Sequence, residues 1–142
     1  MDKRISSRDI PLNEIILRKY EAPNGMERKE LCRKFLLSIG LLQPGESRDI
    51  ITEIFYLLSK TDSSLNIPMI AKNLKGMPGA SEPNIRRQIR RLKELKLIEK
   101  HNAGYRIVEA GSIENSIKNY IIPFLIQPST ERILEYAHEL DK

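Results

Sequence analysis

Apolar residues recur along this chain at three- and four-residue intervals, in blocks separated by short Pro- and Gly-rich breaks, which predicts a mainly helical protein. Residues 1–10 mix charges and serines and predict an arm without regular structure. Pro11 followed by Leu12, Ile15 and Ile16 predicts a short helix over 11–20, ended by Ala22-Pro23-Asn24-Gly25. A second helix, about Glu27 to Ile39, places Leu31, Phe35 and Ile39 on one face and Arg28, Lys29, Arg33 and Lys34 largely elsewhere. Gly40 is positioned to end it. A third, about Arg48 to Lys60 with Ser47 as its cap, carries Ile50, Ile51, Ile54, Phe55, Leu57 and Leu58. So wide an apolar arc implies packing on more than one side, as for the central helix of a small domain.

Leu65-Asn66-Ile67 predicts a brief strand, and Pro68 opens a fourth helix that ends near Leu74 with Met69, Ile70 and Leu74 buried. The loop Lys75–Ala80 (KGMPGA) leads to a fifth helix starting at Ser81 or Glu82. At about 100° per residue, Ile85, Ile89 and Leu92 form its buried stripe, while Arg87, Arg90 and Glu94 lie near the opposite side with Pro83 and Arg91 close by. Leu97 and Ile98 enter a strand, His101-Asn102-Ala103-Gly104 turns it, and Tyr105 to Val108 return as a hairpin. In the tail, Ser112 can cap a helix bearing Ile113, Ile117, Tyr120, Ile121 and Phe124, which Pro123 should kink or terminate. Pro128-Ser129-Thr130 then restarts a last helix with Ile133, Leu134, Ala137 and Leu140 on one side. The predicted fold class is mainly α with a small β-hairpin (α+β), in three parts: an N-terminal helical extension over 1–46, a central domain over 47–110 and a C-terminal helical segment over 111–142.

Charge sharpens this picture. Residues 82–106 hold eight Lys/Arg against three Asp/Glu, an excess of +5 that equals the net charge of all 142 residues. Residues 107–142 are acidic, with three bases against six acids. A basic helix face joined to a basic hairpin suits a polyanionic partner. Composition excludes several other classes. The single cysteine, Cys32, rules out an intrachain disulfide, and two histidines (His101, His138) argue against a Cys/His metal site; Cys32 fits a small core residue. There is no phosphate-cradling glycine loop and no Ser/His/Asp or Cys/His set, so neither catalytic residues nor a cofactor are assigned. No stretch reaches the length of a membrane span and the N-terminus lacks a signal-peptide core, which leads to an expected cytoplasmic location. Few aromatics (five Tyr, three Phe, no Trp), none interleaved with the arginines, argue against single-strand stacking.

The segment Ser81–Lys100 (SEPNIRRQIRRLKELKLIEK) followed by GYRIV resembles the recognition helix, basic strand and return strand of winged helix-turn-helix transcriptional regulators of archaea and bacteria. Residues 47–108 carry the resemblance. It implies a second motif helix, about 82–96, in the major groove of double-stranded DNA and the hairpin 98–108 as the wing. Carried over by position, the DNA face is Ser81, Pro83, Asn84, Arg87, Arg90 and Arg91, with Lys100, His101, Asn102 and Arg106 on the wing. Arg87 and Arg90 can present forks to guanine, and Arg91 is expected on phosphate. Asn84 either reads adenine or satisfies the helix terminus. The KGMPGA loop is longer than the usual turn and the wing is short, departures that bear on the helix angle and on minor-groove depth. In the tail, Ile117, Tyr120, Ile121, Phe124, Ile133, Leu134, Ala137 and Leu140 are expected to pair two copies as a homodimer matching palindromic sites. The alternative is a winged-helix protein-interaction module in a transcription, replication or chromosome-handling assembly.

Overall fold

Helix α1 (Arg28–Ser38) packs along α2 (Ile50–Ser59), and α2 carries the core. The computed structural model describes residues 7–46, 49–108 and 112–142. Ile50, Ile51, Thr52, Ile54, Phe55 and Leu58 are buried on α2, so its wide apolar arc meets neighbours on several sides. Its N-cap is Asp49, whose carboxylate accepts from the Thr52 amide at 3.2 Å. Ser47, the expected cap, lies outside the described residues. On α1 the buried residues are Cys32, Leu36 and Leu37 rather than Leu31, Phe35 and Ile39. The face is rotated because Phe35 stacks at the rim on Phe55, 5.8 Å between ring centres, leaving Leu31 outside.

Helix α3 (Ile67–Asn73) is capped by Asn66, whose side chain accepts from the Met69 amide at 2.9 Å. Its buried stripe is Ile67, Ile70 and Leu74, an i, i+3, i+7 set; Met69 lies off that stripe and is exposed, contrary to expectation. Helix α4 (Glu82–Glu94) starts at the Ser81 cap with Pro83 in its first turn and buries Ile85, Gln88, Ile89 and Leu92. After a left-handed turn at Lys96 (φ 59°), the chain forms β1 (Ile98–His101) and β2 (Gly104–Ile107). The antiparallel register pairs Ile98 with Ile107, Glu99 with Arg106, Lys100 with Tyr105 and His101 with Gly104. That leaves a two-residue turn in which Asn102 (φ 48°) and Ala103 (φ 60°) both take the left-handed geometry that suits strand twist. The strand expected at Leu65–Ile67 is reduced to one bridge, Leu65 to Tyr105, with bonds of 2.8 and 3.0 Å. Gly104 is required beside it, since a Cβ there would stand 2.8 Å from the Leu65 carbonyl carbon.

The helix expected over 11–20 does not form. Those residues run as an irregular strap across the end of α1, and the helical part of the N-terminal extension is α1 plus a 3-10 turn at Ser7–Asp9. A ten-residue helix is marginal alone, and the strap finds nonlocal partners instead. Arg18 donates its amide to Ser38 O (2.9 Å) and its guanidinium to Leu37 O (2.8 Å), Leu42 O (3.1 Å) and Gln43 Oε1. Of these acceptors Ser38 O is the last carbonyl of α1, and Leu37 O also accepts from the Gly40 amide at 3.3 Å. Ile16 lies on Gly40 (φ 79°), where a Cβ would come within 2.6 Å of Ile16 Cβ. Further along, Asn13 donates to Leu125 O (3.0 Å) and Ser129 Oγ (3.2 Å).

The tail begins at Ser112, which caps α5 (Ile113–Ser116), and continues through a π-helical stretch, Ile117–Ile126, into α6 (Gln127–Leu140). Pro123 neither ends nor interrupts this run. A proline ring clashes with the carbonyl four residues back in an α-helix, and the wider π turn relieves that clash. Ser129 and Thr130 hydroxyls donate to Leu125 O and Ile126 O, adding bonds where Pro128 gives none. Ile121 is fully buried in the same core as α1, α2 and α4, while α6 buries nothing. Among the described residues no helix is long and apolar enough to cross a membrane.

Candidate nucleic-acid interface

Helix α4 owes its position to its uncharged side: Ile85, Ile89 and Leu92 lock it against α2 and α3. The charged side is left outward, with Arg86, Arg87, Arg90, Lys93 and Glu94 all exposed. Arg86, Arg90 and Lys93, at i, i+4 and i+7, line a cleft of about 190 Å³ together with Ile67, Ile89 and Tyr105. One wall is thus the basic helix and the other is the hairpin. Tyr105 is held in place by the Leu65 bridge and packs against the core. Arg86 has a loose ion pair with Glu82 at 3.6 Å, between two half-exposed side chains, which counts for little in water. Arg90, Lys93 and Lys100 have no ion-pair partner among the described residues.

The structure divides the residues expected on the DNA face into two groups. Arg87, Arg90, Lys100 and Asn102 stand exposed, and Pro83 is exposed in the first turn of α4. Ser81 is also exposed, but its hydroxyl caps the helix by accepting from the Asn84 amide at 3.3 Å. The others are half-buried. Arg91 is not on the outer face: it donates to Leu41 O (2.8 Å) and Gln88 Oε1 (2.7 Å), tying the back of α4 to the loop after α1. Arg106 lies directly across the hairpin from Glu99 and gives that carboxylate two hydrogen bonds, 3.0 and 2.8 Å, so it braces the wing. Asn84 takes the helix-terminus role. Its amide donates to Gly79 O (2.8 Å) and its oxygen accepts from Gln88 (3.0 Å) and Arg87 (2.7 Å). His101 is half-buried beside Asn102, whose amide nitrogen is 3.0 Å from the ring Nε2.

A helix face centred on Arg87 leaves out Arg86 and Lys93, which line the cleft. Their signal was in the sequence, because 86, 90 and 93 form one stripe by helical spacing. Buried Gln88, which orients both Asn84 and Arg91, had no such signal.

The tail also divides. Ile121 is fully buried within the chain's own core, which leaves it no surface for a second copy, and Ile117 and Tyr120 are half-buried against that core. Phe124, Ile133, Leu134, Ala137 and Leu140 remain exposed. Elsewhere, Cys32 is buried with Sγ 4.0 Å from Ser59 Oγ, and burial pushes its thiol pKa up, which disfavours the reactive thiolate. Among the described residues no three His, Cys, Asp or Glu side chains gather as a metal site would require. Comparison with protein-family models, curated proteins and solved structures finds no match.

Proposed function

We propose that this chain is a winged helix-turn-helix protein that binds double-stranded DNA as a cytoplasmic transcriptional regulator. The order α2, the Leu65 bridge, α3, the loop, α4 and the hairpin supports that reading, with α4 as recognition helix and the hairpin as wing. The observation that carries it is the stripe Arg86, Arg90 and Lys93 facing an open cleft beside the hairpin, whose only ion pair among the described residues is the loose one of Arg86 with Glu82. Cations left without carboxylates on one face are stabilised when phosphates displace counterions around them. Arg87 and Arg90 project forks toward guanine edges, while Arg86, Lys93 and Lys100 grip phosphates. Arg91 and Arg106 hold the helix and wing in place from behind. No catalytic step, metal or cofactor enters this function.

The test is a titration of labelled random duplex at two salt concentrations. Wild-type affinity should fall steeply with salt, and Lys93→Ala or Lys100→Ala should each reduce the logarithmic salt slope by about 1. Arg87→Ala should cost ~1–3 kcal/mol on a selected site and relax preference at one base pair. Absence of binding at low salt would overturn the proposal.

A further inference from the structure

The last helix is the part of the molecule that the fold leaves uncovered. On α6, Ile133, Leu134, Tyr136 and Leu140 are between 63% and 85% exposed, and no residue of the helix is buried. At the 3.5-residue repeat of paired helices, Ser129, Ile133, Tyr136 and Leu140 form one seam, flanked on one side by Thr130 and Ala137 and on the other by Arg132 and Glu139, while Glu131, Glu135 and His138 face away. Ile133 and Leu140 stand seven residues apart with Tyr136 between them, the seam spacing of paired helices. An apolar strip of this kind marks an association surface.

We propose that α6 packs antiparallel against α6 of a second copy of this chain, about a twofold axis near Leu134 and Glu135. Charge selects both the occupant and the direction. Arg132 and Glu139 lie on the same edge of the stripe, on opposite sides of that axis. In the antiparallel pair each Arg132 meets Glu139 of the second copy, and symmetry makes the contact twice. The same register stacks Ile133 on Tyr136 of the second copy, Leu140 on its Ser129 and Thr130 on its Ala137. A parallel pair sets Arg132 against alanine and leaves Glu139 without a cation. Within one copy Arg132 pairs with Glu135 and Lys142 with Glu139, but both pairs are exposed and re-pairing costs little. The helix is also preformed: its root is fixed by Asn13 on Leu125 and Ser129, so association carries no nucleation cost. Nothing in this pairing requires DNA.

The experiment is the solution mass of the full chain without nucleic acid, by sedimentation equilibrium, with circular dichroism confirming that each variant keeps its helices. The wild type should weigh twice the 16.4 kDa chain mass, and Ile133→Asp should be monomeric. Arg132→Glu and Glu139→Arg should each weaken the dimer about tenfold or more, and the double variant R132E/E139R should restore it to within about threefold. A wild type that stays monomeric at about 100 μM overturns the proposal, as does a dimer that survives Ile133→Asp. A double variant no tighter than the single ones overturns the antiparallel register.

Discussion

Helices α1 and α4 are both rich in arginine and lysine, yet only one of them presents free charge. Every cation of α1 is engaged. Arg28 donates to the Ser59 carbonyl and hydroxyl at the end of α2 (3.0 and 3.1 Å), Arg33 pairs with Asp49 (2.8 Å), Lys34 with Glu21 (2.8 Å) and Lys29 with Glu53. Lys34 also lies 4.8 Å from the centre of the Tyr20 ring. On α4, Arg90 and Lys93 have no such partners among the described residues. The density of basic residues in the sequence therefore does not separate the helix whose cations are tied down from the one whose cations stand open. Partners arriving from elsewhere in the fold do: the carboxylates of Glu53, Asp49 and Glu21 for Lys29, Arg33 and Lys34, and the Ser59 oxygens for Arg28.

Breaking the comparison at its strongest point means removing charge from both helices. The pair Arg90→Ala/Lys93→Ala should lower affinity for duplex DNA roughly ten- to a hundredfold at low salt, whereas Lys29→Ala/Arg33→Ala should change it by less than about twofold. Anisotropy titrations of the two double variants decide it; equal losses would erase the distinction. Next in size is Asp49→Ala, which removes the N-cap of α2 and the mate of Arg33 together. Urea unfolding should show ~1–2 kcal/mol of lost stability with DNA affinity unchanged. Smaller again is Ala103→Gly at the wing tip. The left-handed φ of 60° there strains a Cβ, and its relief should stabilise the fold by ~0.5–1 kcal/mol while leaving every charge in place.

The smallest effect belongs to Lys29. Its hydrogen bond to Glu53 holds its pKa above the usual lysine value of 10.5. A raised pKa means that the ammonium stabilises the fold below the unfolded value and that this stability is lost as pH rises through the folded one. With half the side chain exposed, screening leaves only a few tenths of a kcal/mol. The gap in Tm between wild type and Lys29→Met should therefore be slight but steady at neutral pH and close in strong alkali. A gap that widened there would contradict the assignment.

What the sequence disclosed follows the range of the forces involved. The start of α4 was legible because Ser81, Pro83 and the Ile85 stripe act within one or two turns. The hairpin was legible because its turn residues are contiguous, and the central place of α2 followed from the width of its apolar arc. Residues 11–20 were misread as helix because Arg18 is satisfied by carbonyls about twenty residues away, which periodicity does not register. Arg91 was misplaced for the same reason, its partner being Leu41 O. The pairing of Arg106 with Glu99 is of a different kind. Once a two-residue turn is set at Asn102-Ala103, Glu99 must lie opposite Arg106, so that ion pair was available from the register alone. The π-helical stretch had no local signature, since Pro123 ordinarily argues for a break.

The strap that replaces the expected first helix joins places far apart in sequence. Through Asn13 it grips the root of α6; through Arg18 it grips the loop after α1, whose Leu41 carbonyl in turn anchors Arg91 on the rear of α4. Severing the chain just before Arg18 would thus loosen the foot of the protruding tail while leaving the clamp behind the basic helix in place. A cut just after it would part the two anchors from the body together.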